Sequence, residues 1–238
     1  MIYVNGDSWS VRTPYITDDD IWPKITTLQL DKMLTNESIG CGSNSRALNC
    51  LENFLIAGNR PELIIIALTG HNRWHLPAAN FGHWNIGPVV VINEHTGLKD
   101  SYFHKWYLAN SYNEIDSVYR YYKIIWNMHE LCKKFDIPII FFQAWDNDLA
   151  KFNLRTSDNI ESFVLKYYES TNIYFEKYVT GFEFLRNQQV NWNYIESPSF
   201  KKLLHPSIHI DETGHPNSQG HMKIADFVYQ NIIERNLI

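Results

Sequence analysis

Apolar residues along this chain fall into two kinds of pattern. The first is the short continuous run. Ile2-Tyr3-Val4-Asn5 ends at Gly6, Leu63-Ile64-Ile65-Ile66-Ala67-Leu68 ends at Thr69-Gly70, and Ile139-Ile140-Phe141-Phe142 follows Pro138. Runs of this kind, bounded by turn residues, are strands buried on both faces of a parallel sheet. Residues 36–41 add a short extended piece stopped by Gly42. The second pattern is helical. Ile21, Ile25, Leu28 and Met33 predict a helix over 21–34, with Pro23 near its start. Ser43-Asn44-Ser45 forms a capping cluster for a helix through Leu48, Leu51, Phe54 and Leu55, which Gly58-Asn59-Arg60-Pro61 ends. Residues 113–135 carry Ile115, Val118, Tyr122, Ile125, Met128 and Leu131 on one face, and 217–234 carry Met222, Ile224, Ala225, Val228, Ile232 and Ile233. Strands alternating with helices predict an α/β domain with a mostly parallel sheet covered on both faces.

Two stretches do not fit this alternation. After Gly70 the pattern dissolves for about forty residues, longer than ordinary connections. We read residues 70–112 as a long loop insertion in a single domain spanning 1–238. It holds His71, Trp74, His75, His83, Trp84, His95 and Trp106, with a small apolar run at Val89-Val90-Val91-Ile92. Long aromatic and histidine-rich loops are commonly lids or binding walls. Residues 146–194 read as mainly helical and polar.

Composition narrows the function classes. The 238 residues are 45% hydrophobic, enough for a buried core, and 15% aromatic, with 8 Trp and 14 Tyr. Most of those rings are expected in the core, and the remainder suit a surface that stacks on ligands. A net charge of -5 with scattered Lys and Arg argues against a nucleic-acid partner, which needs a basic face. Cys41, Cys50 and Cys132 form no Cys-x-x-Cys pair, so a zinc ribbon or redox motif is not supported, and a reduced, cytoplasm-like folding compartment is expected. Met1-Ile2-Tyr3-Val4 has no basic leader or apolar h-region of a secretory signal. No apolar run approaches the ~20 residues of a membrane span, so a soluble protein without a membrane partner is expected.

Chemistry-bearing residues sit where parallel sheets bind ligands, beyond the carboxyl ends of strands. Gly6-Asp7-Ser8-Trp9-Ser10 follows the first strand, and a serine past a strand-end glycine can present its hydroxyl there. Gly40-Cys41-Gly42-Ser43-Asn44 follows the extended piece, where glycine lets the backbone approach a ligand and offer an N–H. Thr69-Gly70-His71-Asn72-Arg73 follows the strongest strand. The Asn72 amide is a neutral, directional donor, while Arg73 either clamps an anion or pairs with a carboxylate. Asp211-Glu212-Thr213-Gly214-His215-Pro216-Asn217 precedes the last helix and joins a base to a nearby carboxylate.

In this order the four segments resemble the blocks of the SGNH (GDSL-type) hydrolase superfamily. His215-Pro216-Asn217-Ser218-Gln219-Gly220-His221 is especially similar to its closing motif. The resemblance implies a three-layer α/β/α sandwich of flavodoxin-like type. It implies Ser8 as nucleophile, Gly42 as the block-two oxyanion glycine with Gly40 as the other choice, Asn72 as the block-three asparagine, and His215 as base. The family places its acid three residues before the histidine. That position is Glu212 here, with Asp211 one residue further back, and we lean to Asp211 because it ends the His209-Ile210 run and can turn back on the ring. Thr69-Gly70-His71-Asn72-Arg73 is also similar to a variant in SGNH-like proteins of tailed phages, which would make the protein virion-associated.

The implied activity is acyl transfer through an acyl-enzyme on Ser8, with no metal or organic cofactor. The aromatic loop favours small acetyl esters of carbohydrates over long-chain lipids. Two rivals stand beside this reading. His71 with His75, and His205 with His209, have the four-residue spacing of metal ligands. A non-catalytic carbohydrate-binding or virion structural protein on the same fold is the other.

Overall fold

The computed structural model describes residues 1–71, 73–78, 82–86, 91–93, 114–145, 193–195 and 198–238, with backbone alone for 74–78, 82–86, 91–93 and 114–116. Its centre is a five-stranded parallel sheet built from β1 (Ile2–Asn5), β2 (Leu34–Asn36), β3 (Leu63–Leu68), β7 (Ile139–Gln143) and β8 (Asn193–Ile195). The spatial order is β2-β1-β3-β7-β8, with Val4 opposite both Asn36 and Ile65, Ile65 opposite Ile140, and Phe142 opposite Ile195.

The continuous apolar runs are explained by what covers each face. Tyr3, Ile64, Ile66, Leu68, Ile139 and Phe141 project to one side, against α2 (Asn44–Ile56) and α3 (Glu114–Lys134) through Leu51, Leu55, Val118, Ile125 and Met128. Ile2, Val4, Leu63, Ile65, Ala67, Ile140 and Phe142 project to the other. There they meet Trp22 of α1 (Trp22–Gln29), Phe200 of α4 (Phe200–Leu203), and Ile224, Val228 and Ile232 of the C-terminal α6 (Ser218–Glu234). A strand buried on both sides has no polar position to spare, and all six β3 residues are buried. The result is the expected α/β/α sandwich.

Element boundaries differ from the expectation in three places. The helix from Trp22 stops at Gln29, Asp31 takes a left-handed φ of 52°, and Leu34–Asn36 is already β2. The apolar spacing through Met33 is accidental, since that side chain is 74% exposed. Within the expected 70–112 loop, β4 (Trp74–Ala78), β5 (Gly82–Ile86) and β6 (Val91–Asn93) form a separate antiparallel sheet. The segment expected to be helical up to residue 194 ends in the edge strand β8, while 146–192 lie outside the described residues. No described helix is long and apolar enough to cross a membrane.

Candidate active site

The chain leaves β1 into its own first turn and then runs outward to β2, before returning to β3 on the other side of β1. The connections after β1 and β3 therefore leave in opposite directions, and the carboxyl edge of a parallel sheet at such a point is where ligands commonly bind. Gly6 begins the first of these connections. A Cβ there would stand 2.6 Å from Ser10 Oγ and 2.9 Å from Ala67 Cβ, so only glycine lets the strand end this close to β3. Asp7 then caps a single 3-10 turn over Ser8–Ser10 by accepting the Trp9 N–H at 3.0 Å. That turn leaves Ser8 partly exposed at the strand end, with neither its hydroxyl nor its N–H hydrogen-bonded among the described residues.

Asp7 itself is fully buried. Its Oδ2 accepts from Thr69 Oγ1 at 2.8 Å, Trp145 Nε1 at 2.6 Å and Arg73 Nη1 at 3.2 Å. One carboxylate thus ties the ends of β1, β3 and β7 together. Of the two roles open to Arg73, the structure contains the carboxylate pair, and its guanidinium also lies 5.5 Å from the Trp145 ring centroid. Trp145 packs in turn on Trp9, with centroids 4.9 Å apart.

The second loop is held against the first. Cys41 adopts φ 59°, the Gly42 N–H donates to Ile39 O at 3.1 Å, and a Cβ on Gly42 would be 2.8 Å from Gly6 O. Gly40, by contrast, is exposed with nothing within 4 Å of such a Cβ. Gly42 is therefore the glycine that packing requires, although its N–H is committed to the turn. Ser43 caps α2 through the Arg46 N–H, as its sequence context predicts. Asn44 bonds Thr69 twice, Nδ2 to O at 3.1 Å and Oδ1 from N at 2.9 Å, and so fixes the end of β3. Asn72 lies outside the described residues.

The C-terminal loop follows α5 (Pro206–His209) and is closed by a bridge between Ile210 and Pro216. Within it Asp211 N donates to His215 O at 2.7 Å. Asp211 Oδ1 accepts from Thr213 Oγ1 at 2.6 Å, Thr213 N at 2.8 Å and His215 N at 3.1 Å, and Oδ2 accepts from Thr13 Oγ1 at 3.3 Å. Thr13 lies five residues past Ser8, so this bond ties the first turn's continuation to the C-terminal loop. Partial burial pushes the Asp211 carboxyl up. The Thr213 hydroxyl and the two amides outweigh it and hold the group below the usual carboxylate range. No direct bond joins Asp211 to the His215 ring, whose Nδ1 instead lies 2.9 Å from Thr213 Oγ1. Glu212 is exposed and has no hydrogen bond among the described residues. The structure thus brings Asp211, and not Glu212, into the histidine's network.

Asn217 caps α6 through the Gly220 N–H at 2.9 Å, and a Cβ on Gly220 would overlap His209 O at 2.3 Å. His221 is fully buried and accepts the Trp22 N–H on Nδ1 at 3.2 Å. Of the two histidine pairs of the metal rival, His205 and His209 are engaged locally: His209 Nδ1 accepts the His205 N–H at 2.8 Å, and His205 Nδ1 lies 2.9 Å from Ser207 Oγ. The His75 side chain of the other pair lies outside the described residues. Among the described residues no three His, Cys, Asp or Glu side chains gather as a metal site.

Four residues at the site were given no role of their own by the sequence reading: Asn44, Thr69 and Thr213, quoted only as members of their segments, and Trp145, which was not singled out. Asn44 was visible only as part of a capping cluster. A Trp two residues past a buried strand, as at Trp145, was the one available signal for a residue at the ligand edge.

No family model and no curated protein matches this sequence. Solved structures match over essentially the whole chain. TesA superposes with a TM-score of 0.55 at 13% identity, covering 100% of this chain and 99% of its own. The psychrotrophic esterase EstA from Pseudoalteromonas sp., in a structure inhibited by monoethylphosphonate, gives 0.52 at 14% identity over 98% and 96%. Est2A, an acetyl xylan esterase from the rumen bacterium Butyrivibrio proteoclasticus, gives 0.53 at 10% identity over 100% of this chain and 64% of that one. With a GDSL-family lipolytic protein from Desulfitobacterium hafniense also at 0.52, the chain has the fold of the SGNH (GDSL-type) hydrolases.

Proposed function

We propose that this protein is a serine esterase that works through an acyl-enzyme on Ser8. The observation that carries the reading is the placement of Ser8. Among the described residues its hydroxyl and N–H are both unengaged, at the carboxyl edge of the sheet where the connections after β1 and β3 leave in opposite directions. His215 takes the Ser8 proton on Nε2 as Oγ attacks an ester carbonyl, then gives it to the departing alcohol; water reverses the sequence and releases the acid. The developing oxyanion is met by the Ser8 N–H and the Asn72 amide. Gly42 adds its own N–H only when that donor leaves Ile39 O. Asp211 is the acid, and Arg73 neutralises Asp7 rather than gripping substrate.

The substrate class we propose is small acyl esters, chiefly acetyl, of carbohydrates. The Trp-rich sequence 74–106 and the half-buried Trp145 near the nucleophile support it, as does the shared fold with an acetyl xylan esterase.

A fluorophosphonate probe followed by mass spectrometry tests the mechanism. Wild type takes one label at Ser8, and Ser8→Ala takes none and loses about four to six orders of magnitude in turnover. A folded wild type that stays unlabelled overturns the assignment. Acetylated glycans and acetyl p-nitrophenyl esters are expected to outrun long-chain esters, and the opposite order refutes the substrate class.

A further inference from the structure

The loop around His215 contains a device that the sequence pattern does not announce. An ionised carboxylate has no proton to donate, so the 2.6 Å contact between Thr213 Oγ1 and Asp211 Oδ1 must use the threonine's only hydroxyl hydrogen. Thr213 Oγ1 then has nothing but lone pairs left for His215 Nδ1, 2.9 Å away. That nitrogen must therefore carry the hydrogen. In a neutral imidazole only one ring nitrogen is protonated, so Nε2 bears the lone pair. The direction of two hydrogen bonds thus fixes the tautomer that a general base toward Ser8 requires.

From this geometry we infer that Thr213 is a positioning residue that links Asp211 to His215, so that the acid acts on the base through a neutral hydroxyl instead of by direct contact. The inference rests on the serine-hydrolase reading above. When His215 takes the Ser8 proton on Nε2, its Nδ1–H stays bonded to Thr213 Oγ1, and the threonine hydrogen stays on Thr213, bonded to Asp211. No proton passes beyond the ring. The arriving positive charge is felt by the carboxylate through the polarised hydroxyl. Glu212 takes no part, being exposed and without a hydrogen bond among the described residues.

Four bonds that shape the Asp211–His215 turn do not need the Thr213 side chain. These are Asp211 N to His215 O, Gly214 N to Asp211 O, His215 N to Asp211 Oδ1 and Thr213 N to Asp211 Oδ1. Removing the hydroxyl should therefore spare the fold and disturb the ring. Thr213→Val is expected to lower kcat by about 10- to 100-fold, the scale of one hydrogen bond linked to a charged group, with KM within about twofold. Thr213→Ser, which keeps the hydroxyl, is expected to restore most of the rate. Imidazole 15N NMR supplies a readout independent of turnover: His215 of the wild type shows a protonated Nδ1 and an unprotonated Nε2, and Thr213→Val loses that preference. A folded Thr213→Val enzyme with wild-type kcat overturns the relay, as does an unchanged tautomer in the NMR spectrum. A wild type with the expected tautomer that takes no fluorophosphonate label at Ser8 overturns the hydrolase reading instead, so the two failures are told apart.

Discussion

Asp7 and Asp211 each accept hydrogen bonds from several donors, but the donors come from very different places. Those of Asp7 are gathered from Trp9 beside it, Thr69 and Arg73 past β3, and Trp145 past β7. Those of Asp211 come mostly from the next four residues, with Thr13 as the one distant donor among the described residues. Asp7 is fully buried, and Asp211 is partly open to solvent. A buried carboxylate with partners from three strand ends is a fastener, because no water can replace a donor that is lost. A solvent-side carboxylate with local partners costs little to alter, and its charge acts mainly on the neighbouring ring. The two aspartates divide structure from chemistry across the proposed site.

The strongest way to break this division is Asp7→Ala. It leaves the mostly buried Arg73 guanidinium without its counter-charge and strips an acceptor from Thr69 and Trp145. Removing one partner of a buried pair costs about 3–5 kcal/mol, and urea unfolding at pH 7 should register a loss of that size. A loss below about 1 kcal/mol would mean that the three strand ends are held by Asn44 and the core alone.

His221 sharpens the contrast from the C-terminal side, where a second buried group lies six residues beyond His215. Burial lowers its pKa from 6.5 to about 4. The Asp20 and Asp211 charges, which pull upward, do not overcome burial, and His215 adds to the lowering. The folded-state value is below the unfolded one, so the unfolded chain binds more protons between these two values. Stability is therefore unaffected by this group above pH 6.5 and falls as pH drops towards 4, by about 3 kcal/mol in all. Denaturant midpoints measured across that range should show the slope. His221→Asn, which keeps an acceptor for the Trp22 N–H but does not titrate, should flatten it. An equal slope in both proteins would remove His221 as its source.

The same contrast explains what could be read from the sequence. β1, β3 and β7 were legible because burial on both faces allows only apolar side chains, and helix starts were legible where Ser43 and Asn217 cap them. β2 and β8 were not, for they are three-residue strands at the sheet margins with partly exposed, polar positions such as Asn36 and Asn193. Ser8, Gly42, Asp211 and His215 could be singled out as candidates because each has a sequence neighbourhood that restricts it, although Glu212 stood beside Asp211 as an open alternative in the motif. The burden carried by Asp7 could not, since Thr69 and Trp145 lie 62 and 138 residues away. Thr213 was hidden for the opposite reason: it sits inside the motif, where a threonine between turn residues looks like ordinary loop chemistry.

The smallest effects separate the two carboxylates that the sequence left open. Asp211→Asn keeps acceptors for the Thr213 and His215 amides but removes the negative charge behind the threonine hydroxyl. Because the carboxylate makes no hydrogen bond to the ring and meets it through Thr213 and through space, the fall in kcat should be about 10- to 100-fold, well short of the ~10⁴-fold loss when an acid bonds its histidine directly. Melting temperature should change little, in contrast to Asp7→Ala. Glu212→Gln should alter kcat by no more than about twofold, the weak influence of an exposed charge screened by water and salt. If Glu212→Gln proved the more damaging variant, the loop would have to rearrange when substrate binds, bringing Glu212 to the ring and releasing Asp211. Steady-state kinetics of the two variants at equal pH and ionic strength decide between these arrangements.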